Sequence, residues 1–555
     1  MAYLLFPGRH ILNTSFQEKY LRGILRLPVK KLDIIGGSKL LPDEQITDII
    51  FAVTSANQSH SRYNPVPFVT RAISIDRFAR PYKETLGISY SIVGIPHFDP
   101  SNNFAGHLLK EVHESEDLLL NPENTIVLSS TPSVIKMFQD IGYGILTAEY
   151  DLVPEQYKAE TPTDILKQVV AAGETWQNDQ ALLPKLAKSM ISLWHDFPLV
   201  LKAIFRIWND PLLTDSGSLT KERNYSTYAS GMNHGALMDV KYNDIKSAVL
   251  SGKIVDEGCA DGALVVRLAA DFPDSDIIGI EITSEFLARC EERLRAGEFG
   301  GTYVHFHQRN LLDPIFEDSS IDSTICNSTT HEIWSYGNRE ESLKGYIEKK
   351  YKQTRNGGRL IIRDVVGPED KDQEVYLALN DTDGSNDDIF AEFQITSELA
   401  KHLAKLSTYA RFLRFAEDYL KDMRISGKRG EETKIKFREE IIDGKRFIAL
   451  RLKDAVEFMT KKDYADNWRS ELNEEFAFYS FSDWKQLLTS CGFSIIENPN
   501  NLYISSRAYA NPWILENRFR GKADLFRQRA NGSLEPLEYP VTNMMLIGEK
   551  RGPTA

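Results

Sequence analysis

The chain has 555 residues, enough for two to four domains that each bury a core, and its 42% hydrophobic and 26% charged residues are the balance of a globular protein. No uncharged apolar run is long enough to span a bilayer, which argues against a membrane protein, and a net charge of −13 disfavours a nucleic-acid partner, whose phosphates need a cationic footprint. The four cysteines, Cys259, Cys290, Cys326 and Cys491, lack CxxC spacing, so neither a disulfide framework nor a metal is expected.

The opening stretch "MAYLLFPGRHILNTSF" has no basic leader and no long apolar segment, which makes a cytoplasmic location the expectation. Strand-like runs at 48–54, 89–93 and 125–129 alternate with amphipathic helical segments, the pattern of an α/β unit with a parallel sheet. This first domain is expected over 1–205. The polar stretch "NDPLLTDSGSLTKERNYS" then opens a linker and helix over 206–240.

A second alternating unit begins at "KIVDEGCADG" and continues through "DIIGIEI", "YVHFHQ", "IDSTICN" and "GGRLIIRDVV". Five strand candidates with helix-length spacers predict a doubly wound sheet over 241–366. From 367 to 480 the pattern becomes helical, with Leu406, Tyr409, Leu413, Ala416 and Leu420 forming one apolar stripe; this is expected to be a helical insertion placed to act as a lid. The sheet should resume over 481–555, where "FSDWKQLLTSCGFSIIEN" reads as a capped helix stopped by Gly492, and "NMMLIGEKR" as a last strand.

The central loop carries the chemistry. Gly258 and Gly262 permit sharp turns and close approach of the backbone to a ligand, while Asp256 and Glu281, at two successive strand ends, can accept hydrogen bonds from an amino group and ribose hydroxyls. A phosphate-binding loop is disfavoured because no Gly-Lys-Ser/Thr follows, and the paired acids suit a cationic ligand better than a pyrophosphate.

"VDEGCADG" resembles motif I of class I S-adenosylmethionine-dependent methyltransferases, with Ala260 in the middle glycine position, and "GIEI" resembles their acidic second motif. The resemblance implies S-adenosyl-L-methionine as cofactor, with Asp256, Gly258, Ala260, Gly262 and the ribose-binding Glu281 at its site. It further places Asn310 and Leu311 of "QRNLLDP" beside adenine, Asn310 standing where the family usually has aspartate.

Acceptor chemistry is expected after the fourth and fifth strands. "ICNSTTHEIWSYGN" supplies Asn327 at the strand end, assigned to the cofactor, then His331 as a general base and Glu332 to orient it or take its place. The alternative is that His331 and Glu332 only cap the following helix; a similar stretch in a subset of methyltransferases favours the catalytic role. Tyr336, Arg363, Tyr479, Arg507, Tyr509 and Trp513 are acceptor candidates, although an Arg363–Asp364 ion pair and buried packing of the aromatics are simpler readings.

The first domain resembles archaeal-type nicotinamide-nucleotide adenylyltransferases in four ordered segments: "LFPGRHILNTSFQEKYL", "VTSANQSHSRYNPVPFVTRAISI", "VLSSTPSVIKMFQDIGYGI" and "ETPTDILKQVVAAGETW". That family's HxGH signature is replaced by Thr14-Ser15-Phe16-Gln17, and Leu166 stands at the position of a phosphate-binding arginine. Loss of those groups removes the charge stabilisation that phosphoryl-type transfer needs, so the domain is expected to be nucleotidyltransferase-like and inactive. Gly8, Arg9, Asn57, His60 and Asn64 are the residues that can still hold a nucleotide.

The chain therefore reads as an α/β protein: an N-terminal Rossmann-type domain joined to a class I methyltransferase acting on a small molecule. A nucleotide- or nicotinamide-containing acceptor, bound with help from the first domain, is the specific expectation, with a homo-oligomer allowed. The alternatives are a bifunctional enzyme with an active nucleotidyltransferase domain, or a non-catalytic sensor of S-adenosylmethionine and nucleotide.

Overall fold

The computed structural model describes residues 2–97, 103–210, 212–218, 235–313 and 315–552, in two compact units, Met1–Gly217 and Ser218–Ala555. No helix among the described residues is long and apolar enough to cross a membrane.

The first unit is built on five parallel strands, β1 (Ala2–Gly8), β2 (Ile46–Thr54), β3 (Ser89–Ile95), β4 (Thr125–Leu128) and β5 (Gly144–Leu146), in the order β3-β2-β1-β4-β5. Alternate residues feed two cores: Leu4, Phe6, Ile49, Phe51 and Val53 pack to one side, and Leu5, Ile50, Ala52 and Val127 to the other. Burial on both faces explains why these strands read as continuous apolar runs rather than as polar/apolar alternation. A hairpin, β6 (Tyr150–Leu152) and β7 (Glu155–Tyr157), and helices Pro162–Ala172, Lys188–Asp196 and Pro198–Asn209 complete the unit. The last helix and the unit itself run past the expected boundary at 205; residues 219–234 of the expected linker lie outside the described residues.

The second unit has the expected doubly wound sheet: β8 (Lys253–Glu257), β9 (Asp276–Glu281), β10 (Tyr303–Gln308), β11 (Ile321–Asn327) and β12 (Thr354–Val365) are mutually parallel. The sheet does resume after the insertion. With β16 (Ser494–Ile495) and the antiparallel β20 (Asn543–Glu549), the order is β10-β9-β8-β11-β12-β20-β16, and β17 (Arg507–Tyr509) also pairs with β20. Helix Phe481–Ser490 has the predicted cap, a reciprocal pairing of Ser480 with Asp483, and Gly492 follows it at φ +104°.

The insertion differs from expectation. It contains helices, and the stripe on helix Thr408–Asp418 does face a core, with Leu406, Ala416 and Leu420 buried. It also holds an antiparallel sheet in the order β14-β15-β13-β18-β19, made by β13 (Glu374–Leu379), β14 (Phe437–Ile442), β15 (Lys445–Arg451), β18 (Ala523–Gln528) and β19 (Leu534–Pro536). The missed signal is local: Asp443 and Gly444 both have positive φ (51° and 73°), the turn that an Asp-Gly pair favours between hairpin strands. The boundary at 480 also fails, because β18 and β19 come from the C-terminal segment assigned to the methyltransferase core. Chain exit and return lie side by side, Gly367 N–H donating to Tyr479 O (2.8 Å). A Cβ at Gly367 would meet the Ala477 backbone at 2.9 Å, so only glycine fits there.

Candidate active site

The strand order reverses direction at β8, where ligands bind in open α/β sheets. The loop after β8 is a succession of left-handed residues, Gly258 (φ +73°), Ala260 (+47°) and Gly262 (+80°), the last being the N-cap of helix Ala263–Asp271. Ala260 holds a conformation that costs a side chain ~1–2 kcal/mol. Two bonds hold it there: its N–H donates to Glu281 Oε2 (3.0 Å), and its carbonyl accepts from Cys290 Sγ (3.1 Å).

Glu281 ends β9 and organises this turn. Its Oε1 accepts from Ile282 N (2.8 Å), Thr283 N (2.8 Å) and Thr283 Oγ1 (3.0 Å), leaving Oε2, with one backbone donor, the less committed oxygen. Burial pushes its pKa up to about 7 against those donors, and the charge of Glu332 adds to the rise. Asp256 is 1% exposed, and its Oδ2 has no hydrogen-bond partner. Burial, with Glu257 and then Glu281 beside it, raises its pKa to about 8. Glu257, the other acid of the motif, is consumed internally by Tyr346 (2.5 Å) and a buried ion pair with Lys350. Asn310 Oδ1 accepts from Leu312 N (2.9 Å), Leu311 packs into the apolar base, and Asn327 terminates β11.

His331 and Glu332 lie in the first turn of helix Thr330–Tyr336, but neither is its cap. The N-cap residue is Thr329, and the side chain that takes the helix's first N–H groups is that of Asp364, at the end of β12. Its Oδ2 accepts from Thr329 N (3.1 Å), Thr330 N (2.7 Å), Thr330 Oγ1 (2.5 Å) and His331 N (3.3 Å). Its Oδ1 takes His331 Nδ1 at 2.7 Å. The His331 side chain is buried between two acids, with Glu474 Oε2 3.4 Å from Nε2 and the Phe476 ring packed edge-on at 5.0 Å. Burial opposes the imidazolium, but Asp364 and Glu474 outweigh it and hold the His331 pKa well above its ordinary value, while Asp364 is held below its own. Glu474, supplied by the insertion, was invisible to motif reading because it lies 143 positions after His331.

The acceptor candidates divide. Tyr336 Oη donates to Glu474 Oε1 (3.1 Å), which places it at the His331 cluster. Arg363 does not pair with Asp364: its Nε donates to Asp244 Oδ2 (2.9 Å), where Tyr509 Oη also donates (2.9 Å), and Arg507 lies 3.5 Å from Asp244 Oδ1. Asp244, missed in the sequence, is the common partner of all three. The buried Lys241 adjoins this group, and burial and Arg363 lower its pKa to about 8. Tyr479 packs on Trp334 and Trp484, and Trp513 is exposed beneath Arg518.

In the first unit, the residues at the degenerate signature form a closed hydrogen-bond network. Thr14 and Gln17 cap helix Ser15–Ile24 reciprocally, Gln17 Nε2 donates to Glu149 Oε1 (2.8 Å), and Glu149 Oε2 accepts from Ser130 Oγ (2.5 Å). Leu166 is fully buried in an apolar cluster with Ile11, Leu12 and Trp176. A cavity of about 360 Å³ remains at the ends of β1–β3, lined by Arg9, Gln58, Tyr63, Asn64 and His97 among others. Asn64 Oδ1 is buried there without a partner, whereas Asn57 Oδ1 is taken by His97 N (2.7 Å), and His60 Nδ1 lies 2.7 Å from Ser59 Oγ. Gly8 ends β1, where a Cβ would be 3.4 Å from His10 Nε2. Arg71, also missed in the sequence, fixes the cavity rim by donating to the carbonyls of Arg9, Thr54, Ser55 and Gln58. Pyrophosphate release from ATP with a mononucleotide partner is therefore expected at background level, measured by a coupled pyrophosphate assay.

Two regions of the chain are similar to known proteins. Residues 251–434 match a family model described as a methyltransferase domain. The N-terminal region is 24% identical over 136 residues to a nicotinamide-nucleotide adenylyltransferase of Archaeoglobus fulgidus, a match covering 24% of this chain and 70% of that protein. Among solved structures, an S-adenosylmethionine-dependent methyltransferase from Clostridium acetobutylicum is similar at 13% identity and TM-score 0.28, over 60% of this chain and all of that one. The YcgJ protein from Bacillus subtilis has the same identity and TM-score over 57% of this chain and all of its own.

Proposed function

Because residues 251–434 form a methyltransferase domain, a family that implies S-adenosyl-L-methionine, we propose that the chain methylates a small-molecule acceptor at the carboxyl edge of β8, β11 and β12. The observation that carries this reading is the pair of buried acids, Asp256 and Glu281, flanking a left-handed loop. Their residues fit a cationic nucleoside: Asp256 Oδ2 is an orphaned acceptor, and Glu281 Oε2 keeps room for a ribose hydroxyl. When bound, the cofactor supplies an activated methyl group on a positively charged sulfur. The protein's task is alignment and removal of the acceptor proton. Tyr336, Glu332 and Glu474 line the acceptor side of the cleft. The N-terminal cavity, with Arg9 and the unpaired Asn64 Oδ1, suits a nucleotide- or nicotinamide-like group held without turnover.

The raised pKa values of Asp256 (about 8) and Glu281 (about 7) give the test its sign. Both acids bind a cation better when ionised, so S-adenosylmethionine affinity should rise with pH from 6 to 8.5, with proton release on binding. Calorimetry in buffers of different ionisation enthalpy reads both quantities. Glu281→Gln should weaken binding at least ~10-fold and Asp256→Asn should flatten the pH profile. The same affinity in Glu281→Gln as in wild type would refute the cofactor placement.

A further inference from the structure

His331, Glu332 and Glu474 offer an imidazole nitrogen and two carboxylate oxygens that all lie within 4.8 Å of one another, although the sequence carries no metal-ligand spacing. From this we infer that the cleft holds one first-row divalent cation of the manganese, iron or zinc type, bound by His331 Nε2 and one oxygen each of Glu332 and Glu474. The role given to the ion, holding an acceptor oxygen, rests on the methyl-transfer reading above.

Three features of the geometry support the site. His331 Nδ1 is committed to Asp364 Oδ1 at 2.7 Å, and Asp364 is itself fixed by four further donors from the helix start. This carboxylate–imidazole pairing is the arrangement that orients metal-ligating histidines and directs the other nitrogen to the ion. That nitrogen faces Glu474 Oε2 at 3.4 Å. The separation is that of a long Nε2–H···Oε2 ion pair, which an ion would replace. It matches the ~3.4 Å between two ligand atoms on a tetrahedral ion with bonds of ~2.1 Å.

The second feature is burial. Glu474 is 1% exposed and His331 6%, so the imidazole and one of the two glutamates meet where little water can screen them. The third is the donor set. One imidazole with two carboxylates suits a borderline divalent ion rather than a soft one, and three protein ligands leave a position open, as in catalytic rather than structural sites. A hydroxyl or carboxylate oxygen of the acceptor would take that position, beside Tyr336.

The test uses the full chain after exhaustive chelation and dialysis. Titration with manganese(II), followed by loss of the free-ion electron paramagnetic resonance signal, should give one site per chain with a Kd below ~10 μM. Zinc(II) should compete for it. Glu332→Gln, which alters a partly exposed residue, and Glu474→Gln should each weaken binding by at least ~10-fold. Circular dichroism identifies any variant that fails to fold, and Glu332→Gln and wild type then decide the matter. No stoichiometric uptake of either ion by wild type, or unchanged uptake in Glu332→Gln, overturns the proposal. S-adenosylmethionine calorimetry on the same samples separates the two readings: metal uptake without cofactor binding overturns methyl transfer alone, and cofactor binding without metal uptake overturns the metal site alone.

Discussion

Gly258→Ala is expected to abolish cofactor binding, with at least a ~100-fold rise in the Kd for S-adenosylmethionine and a lowered Tm. Two independent penalties act at this position. At φ +73° a side chain is strained by ~1–2 kcal/mol. The added Cβ would overlap Thr329 Oγ1 and approach Thr329 Cγ2 to 2.7 Å, far inside contact distance. Thr329 has little room to yield. It is the N-cap residue of the helix carrying His331, its N–H is held by Asp364, and its Oγ1 lies 3.4 Å from the Glu257 carbonyl. One glycine therefore joins the loop after β8 to the helix carrying His331, and its loss should disturb both. Gly258→Ala/Thr329→Gly removes the clash but keeps the backbone strain, so it should recover part of the affinity. Wild-type affinity in Gly258→Ala, read by calorimetry, would rule out this coupling.

Asp364→Ala should be the most damaging substitution around His331. Asp364 is completely buried and carries the His331 ion pair together with three N–H donors and a hydroxyl at the start of the helix. Removing one partner of a buried ion pair leaves the other charge uncompensated and costs ~3–5 kcal/mol. The expected result is a Tm drop of several degrees by calorimetric scanning, with methyl transfer reduced by ~100-fold or more. Asp364→Asn preserves the shape but loses the charge and turns an amide N–H₂ toward donors, so it should fall between alanine and wild type. A stable Asp364→Ala protein with unchanged turnover would show that this carboxylate positions nothing.

The glycine loop of the second unit was legible because its requirements are local. Left-handed φ at Gly258 and Gly262, and acids at the ends of consecutive strands, recur at short spacing, and the linear order of β8 to β12 carries the parallel sheet with it. The N-terminal sheet was legible for the same reason. The Asp443-Gly444 hairpin was equally local, yet the amphipathic stripe at 406–420 dominated the reading of the insertion and hid it. Strands β18 and β19 were beyond local reading, since they join a sheet whose other members are separated from them by the returning core strands.

What the amino-acid order determined by itself is therefore the parallel sheet of each unit and the left-handed glycines of the loop after β8. It also sets Gln17 and Leu166 apart from the residues that the resembled adenylyltransferases carry there, because they are what they are wherever the chain puts them. Tertiary structure alone decided the partners: Glu474 opposite His331, Asp364 beneath it, and Asp244 between Arg363 and Tyr509. Those pairs span 33 to 265 positions. Electrostatic attraction acts on spatial distance and burial, and neither is written in the spacing of residues along a chain.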